Sequence, residues 1–232
     1  MSCGCWICWC CRFGVYAGDK EVSYLFPDCV LLIFCKAPLA GQVKTRLQPA
    51  LSADEAVAAH IELTLFTLNR AFEIPLCPVR LYCAPDPDHS FFQQCAADYP
   101  LTLHPQIGLG LGERMQATFS EVLHEYSHAL LMGCDCPSLT ADDLQESFTA
   151  LREGADLLIA PAEDGGYVMI GMSELKSHMF SNMPWGSNAV LAETRRRAAV
   201  AQLNLQELAT QWDVDTVADW LRFKNGCVCV SG

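Results

Sequence analysis

The chain has 232 residues, about half of them hydrophobic, and a formal net charge of −12 at pH 7. A chain of this length can bury one good core, and its acidic balance, without any block of basic residues, argues against nucleic acid as a partner. The longest apolar run, near residues 30–35, is too short to span a membrane, so we expect no membrane partner either.

The fourteen cysteines raise the question of disulfides. The chain begins without a basic segment and without a small-residue cleavage site, so we expect no secretory signal. Most of the cysteines fall inside predicted strands and helices, where a free thiol packs as a small hydrophobe. We therefore expect a cytoplasmic protein with reduced thiols.

Residues 1–28 differ from the rest of the chain, because "MSCGCWICWCC" follows neither a helical nor a strand period. The C-x-x-C spacings in it suit a zinc or iron–sulfur knuckle, but no second cluster with proper spacing is present apart from Cys227 and Cys229. We favour a disordered extension over residues 1–28, a single domain over residues 29–226 and a short tail over residues 227–232.

From residue 30 onward, short apolar runs alternate with amphipathic stretches. The predicted strands are "VLLIFCK", "VRLYCA", "LTLHP", "HALLMGC", "DLLIAPA" and "YVMIG". The alternation predicts an α/β fold, a three-layer α/β/α arrangement around a mostly parallel, Rossmann-like sheet. In such sheets, ligands bind beyond the carboxyl ends of the strands.

The predicted helices lie between these strands. The first begins at a capping box, "SADE" (residues 52–55), and aligns Ile61, Leu65, Leu68 and Phe72 on one face. Others are predicted over residues 88–97, 111–125, 188–201 and 216–224, and behind Thr140. In the last helix we expect Val217, Trp220 and Leu221 to face inward.

The connection after the first strand, "KAPLAGQVKTRLQPAL", is long and concentrates positive charge in an acidic chain. Lys36, Lys44 and Arg46, with Thr45 between the last two, suit a phosphate or diphosphate, because lysine supplies a point charge and arginine a bidentate fork. The Walker pattern is absent. A solvated basic loop is the alternative.

Asp135 follows the strand "HALLMGC", at the position where a ligand would bind. A carboxylate at a strand end suits Mg²⁺, which takes one or two protein carboxylates and completes its shell with phosphate and water. The flanking Cys134 and Cys136 leave a soft metal or a redox pair open, and a purely structural turn is the third possibility.

The segment "PAEDGGYVMIG" places Glu163 and Asp164 before two glycines. Asp164 suits a second metal ligand or a general base, and Gly165 and Gly166 permit a tight turn or a close approach to a ligand. An ordinary hairpin turn with surface acids is the alternative, since "DG" before an apolar strand is a turn signal.

Two further segments carry candidate ligand contacts. "GLGLGERM" opens a helix and brings Arg114, although it is not a dinucleotide fingerprint. "MPWGSNAVL" places Trp185 and Ser187 before a helix, where the indole either stacks on a ligand ring or fills the core. No G-x-S-x-G motif is present, which argues against serine hydrolases.

Six motifs in series resemble one known family: "FCKAPLAGQVKTRL", "GLGERM", "GCDCPSLT", "PAEDGGYVMIGM", "PWGSNAVLAET" and "WDVDT". This is a bacterial family of glycosyltransferase-A-like proteins of unassigned function, some of whose members are assigned to arsenosugar biosynthesis as glycosyltransferases. The resemblance covers about residues 30–223. The chain departs from the usual pattern at residues 40–42, where Ala-Gly-Gln replaces Pro-Gly-Arg, and at residues 185–187, where Trp-Gly-Ser replaces Trp-Ser-Thr.

The resemblance implies a nucleotide-diphospho-sugar transferase fold, with the nucleotide over residues 36–46. It also implies that Asp135 corresponds to the metal-binding D-x-D position, with Cys136 in place of the second acid. Residues 163–165 would border the sugar or second substrate.

We therefore expect a glycosyltransferase that depends on Mg²⁺ or Mn²⁺ and uses a nucleotide-sugar donor and a small-molecule acceptor. Asp135 and Asp164 would hold the metal, Asp164 with Glu163 would be catalytic, and Lys36, Lys44, Thr45, Arg46 and Arg114 would bind the nucleotide phosphates. Residues 165, 166, 185 and 187 would contact the substrate. The alternatives are a nucleotidyltransferase that releases pyrophosphate, a non-catalytic nucleotide-binding protein, and a redox or metal function of the N-terminal segment.

Overall fold

The computed structural model describes residues 23–48 and 50–228, with side chains up to residue 226. The expectations for residues 1–22 lie outside the described residues. The described strands are β1 (Cys29–Lys36), β2 (Val79–Ala84), β3 (Leu101–Pro105), β4 (His128–Gly133), β5 (Leu157–Pro161), β6 (Tyr167–Met172) and β7 (Leu205–Glu207). The described α-helices are α1 (Ala53–Ala71), α2 (Ser90–Asp98), α3 (Leu111–Val122), α4 (Ala141–Arg152), α5 (Val190–Val200) and α6 (Val217–Val228).

The described strands form one sheet in the order β3-β2-β1-β4-β6-β5-β7. All neighbouring pairs are parallel except those that involve β6, which runs antiparallel to both β4 and β5. The predicted mostly parallel α/β sheet is therefore confirmed. β1 leads to β2 on one side and pairs with β4 on the other, so the strand order reverses between β1 and β4, where ligand crevices form in such sheets.

Helices cover both faces of the sheet, as a three-layer fold requires. Side chains of β1 alternate between the two cores: Leu31 and Ile33 pack with α1, α2 and α4, whereas Val30 and Leu32 pack with α3 and α5. This is the two-residue period of a strand that is buried on both faces. Phe26, before β1, already belongs to the first core and stacks obliquely on Phe148.

Two details of helix packing differ from the sequence-based expectation. The inward face of α1 is formed by His60, Leu63, Thr64, Thr67 and Leu68, so it is rotated from the predicted face, and Ile61 and Leu65 lie at its border. In α6, Leu221 is 55% exposed and Phe223 is buried instead, against Leu63 and Val214. In α1, small and polar side chains occupy buried positions that an apolar pattern does not reveal, whereas in α6 one apolar residue is buried in place of another.

The predicted capping box before α1 is present, and the predicted cap Thr140 forms a second box. Ser52 and Glu55 close the start of α1, and Thr140 with Asp143 closes the start of α4. None of the helices in the described part of the chain is long and apolar enough to cross a membrane.

Candidate active site

A cleft of about 780 Å³ opens at the carboxyl edge of the sheet, over β1 and β4. All but two of the predicted site residues line it: Lys36, Lys44, Thr45, Arg46, Arg114, Asp135, Asp164, Gly166, Trp185 and Ser187. Residues of the loop after β1 and of the turn between β5 and β6 both line it. The sequence rule that ligands bind beyond the strand ends therefore located the cleft.

Lys44 and Asp135 form an ion pair at the centre of this cleft. The Nζ of Lys44 donates to Asp135 Oδ2 at 2.8 Å and to the carbonyl of Val214 at 2.6 Å. The Lys44 side chain is only 6% exposed, whereas that of Asp135 is 34% exposed. Burial by itself lowers the pKa of Lys44, but Asp135, with smaller contributions from Cys134 and Asp215, raises it overall, so the ammonium stays charged.

Lys44 adopts a left-handed backbone conformation, with φ of 46°. Such a conformation costs about 1 kcal/mol for a residue other than glycine. Lys44 immediately precedes a short 3₁₀ turn, Thr45–Leu47. In this loop the Lys44 side chain points inward, into the cleft. Strain of this kind is often found where a side chain must be held for function.

Two further carboxylates join Asp135. Ligand atoms of Asp135, Asp213 and Asp215 all lie within 4.8 Å of one another. The carboxylate of Asp215 also accepts from Arg46 at 2.6 Å and lies 3.9 Å from the Nζ of Lys44. Three carboxylates and two cations thus converge at the carboxyl edge of β4.

The sheet brings Asp213 and Asp215 to this edge through its last strand. β7 runs parallel to β5, and the chain beyond it continues along β5, where the amide of Gln211 donates to the carbonyl of Pro161 at 2.7 Å. The amide of Val214 then donates to the carbonyl of Asp135 at 3.0 Å. Two side chains that follow β4 also hold the segment 212–215: Ser138 Oγ accepts from the amide of Trp212, and Cys136 Sγ donates to the carbonyl of Trp212.

Asp213 has a pKa raised to about 7, because burial disfavours its charged form and Asp135, Asp215 and Asp164 add repulsion. A cation stabilises such a cluster because it offsets the repulsion between the carboxylates. A divalent ion also favours the deprotonated form of all its ligands. Oxygen ligands of this kind are those that Mg²⁺ and Mn²⁺ prefer. The residues present therefore fit such an ion.

Asp164 lines the cleft but does not belong to this cluster of three carboxylates. Its Oδ1 accepts from the amide of Gly166 at 2.8 Å, within the turn between β5 and β6. The two strands form an antiparallel hairpin, so the turn signal in "DG" is accurate, and the turn still brings an acid into the cleft. Its field contributes to the raised pKa of Asp213.

Glu163 and Gly165 are the two predicted site residues that do not line the cleft. Both carboxylate oxygens of Glu163 accept from Arg222, at 2.9 and 3.2 Å, and that guanidinium lies 4.1 Å from the ring centre of Trp212. Gly165 has φ of +88°, and a Cβ there would lie 2.4 Å from the carbonyl oxygen of Asn188. The close approach at Gly165 is thus to the start of α5.

The predicted cations other than Lys44 lie around the rim. Lys36 ends β1, and Arg46 is 71% exposed in its pairing with Asp215. Arg114 donates through Nε to the carbonyl of Gly108 at 2.9 Å and holds the loop before α3. Among the predicted cations, Lys44 is therefore the one that is buried in the cleft, and Lys36, Arg46 and Arg114 lie nearer its mouth.

Trp185 belongs both to the cleft wall and to the core. Its ring meets Tyr167 edge to face at 6.2 Å between centroids. A Cβ at Gly112 would lie 2.5 Å from its Nε1, so the absence of a side chain at Gly112 makes room for the indole. The hydroxyl of Ser187 donates to the carbonyl of Pro184 at 2.7 Å and shapes the turn that carries Trp185.

Sequence reasoning missed three residues of this site. Asp213 and Asp215 stand in "WDVDT", a D-x-D spacing that was visible in the sequence but was given no role. Gln106, just beyond β3, also lines the cleft, and its Nε2 donates to the carbonyls of Tyr82 at 2.8 Å and Cys35 at 3.2 Å. Nothing in the local pattern indicated Gln106.

Solved structures support the fold. A protein from Desulfovibrio desulfuricans G20, provisionally assigned as a nucleotide-diphospho-sugar transferase, is 28% identical with a TM-score of 0.75, covering 83% of this chain and 84% of that chain. A CMP:2-keto-3-deoxy-manno-octonic acid synthetase complexed with CTP is 12% identical with a TM-score of 0.57, covering 86% and 98%. Rv0371C from Mycobacterium tuberculosis H37Rv, in complex with manganese, is 15% identical with a TM-score of 0.50, covering 84% and 96%.

A search of curated proteins found no match. The family described as "Uncharacterized protein conserved in bacteria (DUF2064)" matches residues 67–187, which is 121 of the 232 residues. This stretch includes the GLGERM, GCDCPSLT and PAEDGGYVMIGM segments that form much of the cleft. The chain therefore belongs to the bacterial DUF2064 family, and it has the fold of the nucleotide-diphospho-sugar transferases.

Proposed function

We propose that this protein is a metal-dependent glycosyltransferase that takes a nucleotide-sugar as donor and a small molecule as acceptor. The observation that carries the proposal is the convergence of Asp135, Asp213 and Asp215 beside the buried Lys44. Together these groups can hold a divalent cation and a diphosphate at one point. The likeness at 28% identity to a provisionally assigned nucleotide-diphospho-sugar transferase supports the same substrate class.

Asp135, Asp213 and Asp215 are the residues that would hold Mg²⁺ or Mn²⁺. When bound, such an ion neutralises the negative charge that develops on a departing diphosphate. The manganese complex of a protein with the same fold is consistent with a divalent ion, although that likeness concerns the fold alone.

Lys44 and Arg46 would bind the donor's phosphates. Both side chains already point their charge at the carboxylates, Lys44 at Asp135 and Arg46 at Asp215. Preorganised cations stabilise developing negative charge without reorganisation at the moment of reaction. Because Lys44 is buried against Asp135, it would share that carboxylate with the metal or turn toward a phosphate oxygen when both are bound.

Asp164 would orient the acceptor hydroxyl and accept its proton. It lies in the cleft on the turn between β5 and β6, and its only hydrogen bond among the described residues is to the amide of Gly166. Its second oxygen is therefore available to a substrate. For Glu163 we propose an indirect part, since its pairing with Arg222 ties the same turn to α6.

The remaining cleft residues would contact the rest of the donor. Arg114 and Lys36 stand at the rim, where a nucleotide's outer phosphate or ribose would lie, and Trp185 with Ser187 would border the sugar beside Gly166. The seven cysteines whose side chains the structure describes are all free and buried, which suits the reduced, cytoplasmic setting in which nucleotide-sugars are found.

The second candidate is a nucleotidyltransferase, which would release pyrophosphate from a nucleoside triphosphate. The specific observation in its favour is the number of carboxylates. Asp135, Asp213 and Asp215, with Asp164 nearby, are enough to hold the two ions that in-line displacement at a phosphate often uses. The synthetase of the same fold is complexed with CTP, a nucleoside triphosphate.

The two candidates differ in the product they release. We would incubate the full chain and Mn²⁺ with each common nucleotide-sugar, and separately with each nucleoside triphosphate, and assay nucleoside diphosphate and pyrophosphate. A nucleoside diphosphate from one nucleotide-sugar supports the glycosyltransferase, and pyrophosphate from a triphosphate supports the alternative.

The matched variants for this assay are Asp164→Asn and Asp142→Asn. The first removes the proposed acceptor contact and should lower turnover at least about a hundredfold, which is typical for loss of a general base. The second removes an exposed acid in the first turn of α4, outside the cleft, and should leave turnover unchanged. Equal turnover in the two variants would exclude Asp164 from catalysis.

A further inference from the structure

A second cluster of ligand-type side chains lies behind the cleft and is built from sulfur and nitrogen. Ligand atoms of Cys35, His60 and Cys134 all lie within 4.8 Å of one another. Cys35 comes from the carboxyl end of β1, Cys134 follows β4, and His60 comes from α1. The three residues are buried, with exposures of 2%, 4% and 6% for Cys35, His60 and Cys134.

The distances in this cluster fit a metal site. Cys35 Sγ lies 3.8 Å from His60 Nε2. Two ligands on a tetrahedral zinc ion, at ordinary Zn–S and Zn–N bond lengths, lie about 3.6 Å apart. The sulfur atoms of Cys35 and Cys134 lie within 4.8 Å of each other, so both can reach one ion.

The charge of such a site also suits its burial. Burial lowers the pKa of His60, so its ring is neutral and can offer a lone pair. Two thiolates and one dication sum to zero, which avoids the cost of an uncompensated buried charge. Binding therefore releases the two thiol protons, and the ion can enter from the cleft because all three side chains line its wall.

We propose that Cys35, His60 and Cys134 form a buried site for one thiophilic d¹⁰ metal ion, with zinc as its representative. Three protein ligands leave a fourth position for a water or a small ligand. The paired cysteine is Cys35 and not Cys136, the C-x-C neighbour of Cys134, because Cys136 directs its thiol to the carbonyl of Trp212. This site does not depend on the proposed function, since its ligands are soft and those of the carboxylate cluster are hard.

Metal binding has a structural consequence at the end of β1. His60 Nε2 lies 2.8 Å from the carbonyl oxygen of Lys36, to which the neutral ring donates. If zinc takes Nε2, the ring proton moves to Nδ1 and the Lys36 carbonyl loses its donor. The loop that begins at Lys36 carries Lys44, so zinc binding would change the position of Lys44 in the cleft.

The test is a zinc titration of the reduced, metal-stripped full chain, with excess magnesium present to occupy oxygen sites and a chromophoric chelator as competitor. The N-terminal cysteines are kept in every variant, so only differences between variants count. The Cys35→Ala/Cys134→Ala variant should bind one equivalent less than the wild type. The matched control, Cys29→Ala/Cys77→Ala, removes two buried cysteines at the opposite end of the sheet and should bind as much as the wild type.

His60→Gln separates a ligand from a packing residue. Its amide can still donate to the Lys36 carbonyl, but it is a poor zinc ligand, so we expect zinc affinity to fall at least tenfold with unchanged circular dichroism. The cobalt(II) form of the wild type should show sulfur-to-cobalt charge-transfer absorption that the double cysteine variant lacks. Equal zinc stoichiometry in the wild type and the double variant, or unchanged affinity in His60→Gln, would overturn the proposal.

Discussion

The Nζ of Lys44 lies 2.8 Å from Oδ2 of Asp135, so the carboxylate best placed to bind a metal is already paired with a cation from the same chain. At this separation, two unit charges near a protein surface interact by a few kcal/mol before desolvation is considered. Lys44 therefore has two opposed effects on ligands. It competes with a metal for Asp135, and it supplies positive charge for a phosphate.

Lys44→Met should separate these two effects. Without the ammonium, we expect the affinity for Mn²⁺ alone to rise about tenfold, or about 1.4 kcal/mol, because Asp135 loses its competing partner. The affinity for a nucleoside diphosphate in the presence of Mn²⁺ should fall. Calorimetric titration of the metal and of the nucleotide measures both.

Lys36→Met is the control for this experiment. Lys36 lines the same cleft but forms no ion pair with Asp135 among the described residues, so its loss should leave the affinity for Mn²⁺ alone unchanged. A lower affinity for Mn²⁺ in Lys44→Met would contradict the competition and place the metal away from Asp135.

The raised pKa of Asp213 predicts how stability depends on pH when divalent metal is chelated. The folded state holds a proton on Asp213 up to about pH 7, whereas an ordinary aspartate loses it near 3.8. The stabilisation that this proton gives is complete below about pH 4 and is lost as the pH rises to 7. Asp213→Asn should therefore stabilise the protein at pH 7.5 relative to the wild type, and much less at pH 4.5.

Urea unfolding at the two pH values in EDTA measures this difference. Asp142→Asn, which changes an exposed acid on α4, should shift the midpoint by a similar small amount at both pH values. If the Asp213→Asn effect were the same at pH 4.5 and 7.5, Asp213 would not carry the proton that its surroundings predict.

Gly165→Ala should destabilise the fold strongly. Its φ of +88° disfavours alanine, and the new Cβ would lie 2.4 Å from the backbone oxygen of Asn188, which cannot move without shifting the start of α5. We expect a loss of more than about 2 kcal/mol. Gly154→Ala, with φ of +103° and no atom within 4 Å, carries the backbone strain alone and should cost about 1 kcal/mol. Equal losses in chemical denaturation would show that the contact with Asn188 is unimportant.

Gly112→Ala should displace Trp185, because the added Cβ would lie 2.5 Å from the indole Nε1 and 2.7 Å from the carbonyl of Phe180. Overpacking of this kind costs about 1–3 kcal/mol, which exceeds the gain in helix propensity. Tryptophan fluorescence should shift, and nucleotide-sugar affinity should fall. Gly110→Ala, where a Cβ meets nothing within 4 Å, should leave the fluorescence unchanged. Identical spectra for both variants would show that the indole of Trp185 does not pack against Gly112 on α3.

The apolar runs predicted six strands correctly, most clearly β1, β4 and β5, which are almost entirely buried, whereas β3 buries only Leu101. β7 was missed because Leu205–Glu207 has three residues, of which two are exposed, and so has no pattern to detect. The direction of β6 depends on a hairpin turn, and the turn signal at residues 164–165 was given as an alternative to a ligand-binding loop. That turn exists, and it also brings Asp164 into the cleft.

The sequence predicted the site residues that lie in loops after strands of the sheet. It did not predict those that lie in the irregular segment beyond β7. Asp135 stands just after β4 and Lys44 lies in the loop that follows β1, so the rule about carboxyl ends located them. Asp213 and Asp215 reach the same place only because the chain beyond β7 pairs with residues 161–162 and with Asp135. That pairing is a tertiary contact, and no local pattern encodes it.

The measurement that tests the central claim most directly is thermal unfolding of the full chain with nucleoside diphosphates, triphosphates and nucleotide-sugars, each with and without Mn²⁺. A ligand that binds only the folded state raises its midpoint by mass action. We predict stabilisation by a nucleotide-sugar only when Mn²⁺ is present, and its loss in Asp135→Ala. Stabilisation that persists in Asp135→Ala, or no stabilisation by any nucleotide with Mn²⁺ present, would contradict a metal-dependent nucleotide site in this cleft.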